Sequence, residues 1–432
     1  MTKKLCLALS AVLLLTSGLL ANGLNLNGFG ARAAAMGGAF VGLADDYTAL
    51  YWNPAGLAMM KKGTFGLTGD LLIPKSDYTL DTFSMRTTTR VYPAGLVGYF
   101  RPIGDNIVVG LGAYTLSGLG AEWNNTGTPF LEEVLVAPAP PSFFTPALQA
   151  SKWRSFIGSI TIAPAIAVKV SDKFFLGATL NINYGFFRTE QWGETQVIST
   201  KPLVVFNFGQ AELNVDGWGF GATFGVLYKP CDWLSVGATY RLASKLKMDG
   251  TSTLENLPLL SSTLPDKSPA KLDATNPMWL AGGLAVKPMK NLTFTFDLQW
   301  TNWSKVQSLT VKLLDPAWNA AGVTDNVLTL NWVNQLQVRF GLEYVMGNFA
   351  VRAGYYRDPH PAPDSTMNIL IPSFTYNSIT AGIGYKMGSL RFDIGLEYLM
   401  GRDRTIAPAT DNLPGLYDMN ILVPMISFST GW

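Results

Sequence analysis

From Gly63 onward the chain alternates apolar and polar positions with a period of two. Leu176, Ala178, Leu180, Ile182 and Tyr184 fall on one face, with Gly177, Thr179, Asn181, Asn183 and Gly185 on the other. Trp218, Phe220, Ala222, Phe224 and Val226 alternate with Gly219, Gly221, Thr223 and Gly225, and Leu292, Phe294, Phe296, Leu298 and Trp300 with Thr293, Thr295, Asp297 and Gln299. Leu336 to Tyr344, Phe349 to Tyr355 and Leu390 to Tyr398 repeat the pattern. Successive strand side chains point to opposite faces, so each segment reads as a strand with one apolar and one polar side. There are about fourteen, joined alternately by short and long connections. Arg101 to Asp105, Val170 to Lys173, Lys229 to Asp232, Lys287 to Asn291 and Met346 to Asn348 are tight turns. Residues 74–90, 118–153, 188–212, 248–270, 305–330, 357–374 and 401–418 are long. An outer-membrane barrel has this rhythm, with tight periplasmic turns and long external loops. A sandwich or propeller has no reason to keep every second loop long.

A barrel of that size is too wide for its own side chains to fill, so its lumen is solvated or plugged. The polar faces carry Arg241, Asp297, Arg339, Glu343, Arg352, Arg391, Asp393 and Glu397, which are costly against lipid. They belong inside on a wet wall, and the apolar faces outside. Tyr184, Tyr228, Tyr240, Trp300, Tyr344, Tyr385 and Tyr398 then fit interfacial girdles. Trp432, with Phe428, supplies a terminal aromatic that a barrel assembly machinery would read.

Composition agrees. Only 14% of the 432 residues are charged and 48% are hydrophobic, against about 25% charged in soluble domains. Disorder is excluded, and a soluble surface would be hard to cover. Without Lys3 and Lys4 the 32 basic residues fall to parity with the 30 acidic ones, leaving no footprint for nucleic acid. Lys3 and Lys4, the apolar run Leu5 to Leu15 and the small residues Ser17, Gly18 and Ala21 read as a signal peptide over 1–21. Cys231 alone remains beyond the leader, so no internal disulfide forms there. No later stretch reaches the roughly 20 apolar residues of a membrane helix.

Between the leader and the first strand, the chain does not alternate. It carries Gly30-Ala31-Arg32-Ala33, Met36-Gly37-Gly38-Ala39-Phe40, Ala44-Asp45-Asp46 and Trp52-Asn53-Pro54-Ala55-Gly56-Leu57. Small residues suit short helical turns packed inside something, and Asp45-Asp46 suits a cap. This wording resembles the plug of the FadL/TodX family of outer-membrane long-chain fatty acid and hydrocarbon transporters. Tyr114 to Trp123 and Gln299 to Ser304 resemble two further family signatures.

The resemblance implies an all-β architecture: a transmembrane antiparallel barrel of about fourteen strands over 63–432, closed by a hatch over 22–62. It also implies capture of apolar cargo by external loops and lateral release through a kinked third strand. Asn53, Pro54 and Ala55 match the hatch motif, whose asparagine would seat the hatch against the wall by pairing with strand backbone groups left unsatisfied at a kink, although a plain Asn-Pro loop turn would look the same. Gly110, Gly112 and Gly118 are candidates for the kink, although lumen-facing small residues would look the same. Lateral release is physically reasonable, because a molecule released into water would rehydrate at about 0.8 kcal/mol per CH₂.

Apolar residues in external loops are a liability unless they meet a ligand or each other. Trp123, Phe130, Leu131, Leu135, Phe143, Phe144 and Phe206 are therefore candidate ligand contacts, and Arg188 a candidate head-group partner. His360 is the only histidine; neighbours in its proline-rich loop cannot converge as a triad, and no cofactor or metal motif is present. The expected partners are a hydrophobic small molecule, outer-membrane lipid with lipopolysaccharide, and the assembly machinery; the expected state is a monomer. A general diffusion porin or an adhesive barrel is the competing reading.

Overall fold

The computed structural model describes residues 23, 25–81, 83–123, 153–192, 195–200 and 203–432. The expected signal peptide over 1–21 lies outside them, as do Phe130, Leu131, Leu135, Phe143 and Phe144.

Fourteen antiparallel strands close into one barrel. In order they are β1 (Thr64–Leu80), β2 (Tyr92–Ile103), β3 (Ile107–Trp123), β4 (Trp153–Lys169), β5 (Phe174–Trp192) and β6 (Gln210–Cys231). β7 runs Leu234–Arg241 and continues as Ser244–Leu254, and β8 runs Lys267–Asn276 and continues as Trp279–Met289. β9 (Leu292–Thr301), β10 (Gln335–Met346), β11 (Phe349–Asp358), β12 (Tyr376–Met387), β13 (Leu390–Gly401) and β14 (Gly415–Gly431) complete the wall. β14 returns to β1 in a register from Thr64↔Gly431 to Thr79↔Leu416. Closure removes the free edge, which lipid could not satisfy. The turns fall where the spacing put them. In those after β10 and β12, Gly347 and Gly388 take φ of 60° and 61°, a conformation that suits a two-residue hairpin and that glycine adopts without strain.

The faces divide as expected. In β13, Phe392, Ile394, Leu396 and Tyr398 are exposed toward the outside, while Asp393 and Glu397 are buried. The inner wall is not wet at this level, however. Arg241, Asp297, Arg339, Glu343, Arg352, Asp393 and Glu397 are all buried, several of them bonded to the N-terminal segment.

That segment folds as α1 (Ala31–Ala35), α2 (Ala49–Trp52) and a 3-10 turn at Pro54–Met59. Asp46 Oδ1 accepts from the Thr48 amide at 2.9 Å and turns the chain into α2. Phe29, Phe40, Leu50 and Trp52 are fully buried in one apolar cluster with Phe100, Tyr114, Ala163 and Leu227 of the wall. Wall glycines permit the approach: a Cβ at Gly177 would strike the Pro54 backbone, and one at Gly354 that of Gly37. This gives the high glycine content of the inner faces a packing reason.

Candidate functional site

The N-terminal segment is held to strands all round the barrel. Ala31 N donates to Ser427 Oγ of β14 at 2.7 Å, Val41 N to Asp297 Oδ2 of β9 at 2.7 Å, and Thr380 Oγ1 of β12 to the Ala35 carbonyl at 2.9 Å. Arg32 pairs with Asp45 and Asp46 of its own segment and with Glu343 of β10. Glu343 also meets Arg352 at 2.7 Å, which meets Asp393 at 2.8 Å. A buried charge needs such partners, because its desolvation is otherwise uncompensated.

Asn53 is fully buried, and its Nδ2 donates to Val41 O and to Val226 O of β6, each at 2.9 Å. Its Oδ1 accepts from Ala55 N at 3.2 Å, and Pro54 opens the 3-10 turn. The asparagine thus bonds the segment to β6, where pairing with β5 is continuous, and not to β3.

The ladder between β2 and β3 is interrupted. β2 and β3 pair from Ile103↔Ile107 to Leu96↔Tyr114 and no further. β2 continues against β1 as far as Tyr92, while β3 continues against β4 with a register shift between Thr115 and Ser117. Pro93 has no amide proton to donate across this gap. Asn25 of the N-terminal segment bridges to Ser117 there. A cavity of about 350 Å³ occupies the gap. Tyr92, Pro93 and Ala94 form one side and Thr115, Ser117 and Gly118 the other; Leu26 lines its inner side, and Ile160, an outward-facing and exposed residue, also borders it.

Gly110 and Gly112 lie in the regular ladder, opposite Phe100 and Gly98. A Cβ at Gly112 would meet Leu50, so that glycine makes room for the N-terminal segment. Gly118 lies at the gap, where a Cβ would find only Leu26 at 3.9 Å. Trp123 is buried and donates from Nε1 to Ile369 O at 2.9 Å, which ties β3 to the loop after β11. Arg188 donates to Asn214 at 2.9 Å and lies over the Phe186 ring. Neither Trp123 nor Arg188 lines the gap. Phe206 belongs to a short strand, Leu203–Asn207, whose side chains lie outside the described residues. Pro93, inside an otherwise alternating strand, is the sequence signal at the gap, but Pro74, Pro164 and Pro424 stand in strands that keep their pairing.

A family profile described as outer membrane protein transport protein (OMPP1/FadL/TodX) matches residues 149–423. The chain belongs to this family. It is therefore an outer-membrane transport protein. A long-chain fatty acid transport protein of Escherichia coli K12 is 24% identical over 423 residues, 91% of each chain. The barrel superposes on a FadL homologue of Pseudomonas aeruginosa with a TM-score of 0.78 at 18% identity, over 95% of this chain and 100% of that one. The toluene transporter TodX of Pseudomonas putida gives 0.72 at 17% identity, over 95% and 100%. These structures share the fold with this family member.

Proposed function

We propose that the protein carries hydrophobic small molecules, fatty acids or aromatic and aliphatic hydrocarbons, across the outer membrane. Residues 22–62 act as a hatch, the external loops capture cargo, and the cargo leaves sideways between β2 and β3. The break in the β2–β3 ladder carries this reading. The cavity there touches both Leu26 of the N-terminal segment and the exposed Ile160, which supports an exit by which an apolar molecule need not re-enter water. The relatives named as fatty acid and toluene transporters support the same class of cargo.

Gly118→Trp tests the route, because the side chain would fill open space rather than displace backbone. With an intact barrel shown by heat-modifiable gel mobility, toluene uptake falls at least tenfold while loop capture persists. Uptake at the parental rate would instead favour a vertical path past the hatch. The porin reading predicts high ion conductance of the unaltered protein, which a seated hatch prevents.

A further inference from the structure

On the inner side of the gap lies a second cavity, of about 80 Å³. It shares Leu26, Leu72, Ala94, Gly118 and Leu119 with the gap, so cargo reaching the gap from the lumen passes it. Its other lining residues include three carboxyl side chains, Asp70, Asp358 and Glu397, and no lysine or arginine. Asp358 accepts from Gln337 at 2.6 Å, and Glu397 accepts from Tyr356. Arg339, on the neighbouring wall, is engaged by Asn27 O, Gly37 O and Gln337 and stacks on Trp52 and Tyr356.

Asp70 differs from the other two. It is 3% exposed, and its Oδ1 accepts from Thr68 at 3.3 Å. Its Oδ2 has no hydrogen-bond partner among the described residues. Ser373 Oγ, 4% exposed as a residue, and Asn27 Oδ1 line the same cavity and are also without partners. Buried polar atoms are nearly always satisfied, so an orphan on a residue that lines a cavity marks a place where a water or a ligand donor completes it.

We infer that this cavity selects cargo with an apolar body and a hydroxyl head, an alcohol or a phenol, and that Asp70 Oδ2 receives the hydroxyl proton in a hydrogen bond. A carboxylate head is disfavoured, because its charge would leave water for a buried lining that offers no basic side chain to pair with it. This rests on the transport reading and narrows its substrate class.

The test uses three probes with one apolar body: 4-propylphenol, 4-propylbenzoate and propylbenzene, titrated into purified full-length protein by calorimetry. The phenol binds at least tenfold more tightly than the benzoate and several-fold more tightly than propylbenzene. Asp70→Leu brings the phenol to the propylbenzene level and leaves propylbenzene within twofold. Equal or tighter binding of the benzoate by the unaltered protein overturns the inference, as does a phenol with no advantage over propylbenzene. Neither comparison needs a variant, so a misfolded Asp70→Leu does not shield it. An unchanged phenol preference in folded Asp70→Leu overturns the role of Asp70. Cellular uptake of propylbenzene separates the two claims. If it persists without phenol preference, transport stands and this inference falls; if none of the three enters cells, both fall.

Discussion

Arg32 grips Glu343 through two hydrogen bonds, Nε to Oε2 at 2.9 Å and Nη2 to Oε1 at 2.8 Å, with both side chains buried. One end belongs to the N-terminal segment and the other to β10, 311 positions away. Removing one partner of a buried pair typically costs 3–5 kcal/mol, since the survivor keeps its desolvation penalty. Glu343→Ala therefore loosens the segment, and planar-bilayer conductance rises several-fold above the parental level. Arg86→Ala is the control: its pair with Asp77 is exposed and screened by solvent and salt, and conductance stays at the parental level.

Asn53→Ala removes the bridge between Val41 and Val226. The Val41 and Val226 carbonyls lose their donor, at about 1–3 kcal/mol each if water does not replace it. The expected phenotype is increased entry of a bulky hydrophilic antibiotic, read as a lowered inhibitory concentration, with the barrel still heat-modifiable. Asn53→Asp keeps the shape but cannot donate when ionised, and gives the same phenotype.

The barrel was legible because its signal is local: period-two alternation and loop length are both read along one stretch of chain. The β2–β3 gap was not, because it depends on two strands losing register against each other. The glycine signal pointed to Gly110 and Gly112, which pair regularly, and only Gly118 lies at the gap. Trp123 illustrates the same limit in the loops. Its partner Ile369 is 246 residues away, so an apolar residue suited to cargo serves to tie two loops together. Asp70 stands between Gly69 and Leu71 in an alternating stretch, but the unpartnered state of its Oδ2 is a property of the folded interior.

The wall glycines yield a third prediction. Gly177→Val places a branched side chain where Pro54 and Ala55 lie. Overpacking of this kind costs about 1–3 kcal/mol, and here the more weakly held partner is the N-terminal segment rather than the sheet. The barrel assembles, but conductance rises. In a protein lacking residues 25–60, Gly177→Val adds nothing further. A change in barrel mobility in that background would place the strain in the sheet instead.

The last prediction concerns pH in the loop that follows β11. His360 accepts or donates at Nδ1 with Thr375 Oγ1 at 3.1 Å, while its carbonyl accepts from Gln335. Burial, with the Arg404 guanidinium second, lowers its pKa from 6.5 to about 3. Arg404 is itself fixed by Ser373 O, Ala362 O and Asp364. The folded loop therefore holds a neutral imidazole, whereas the opened loop takes up a proton near the ordinary value. Stability rises with pH wherever the opened state binds more protons. The contribution of His360 is thus complete above pH 6.5 and drains away between pH 6.5 and 3. Between pH 7 and pH 5 the loss is about 2 kcal/mol at most. A nitroxide at Ser365→Cys, in a Cys231→Ser background, reads loop order by its spectral mobility. Mobility should increase as pH falls from 7 to 5, and His360→Gln should flatten that change without altering the spectrum at pH 8. A pH response that survives His360→Gln would assign the titration to another group.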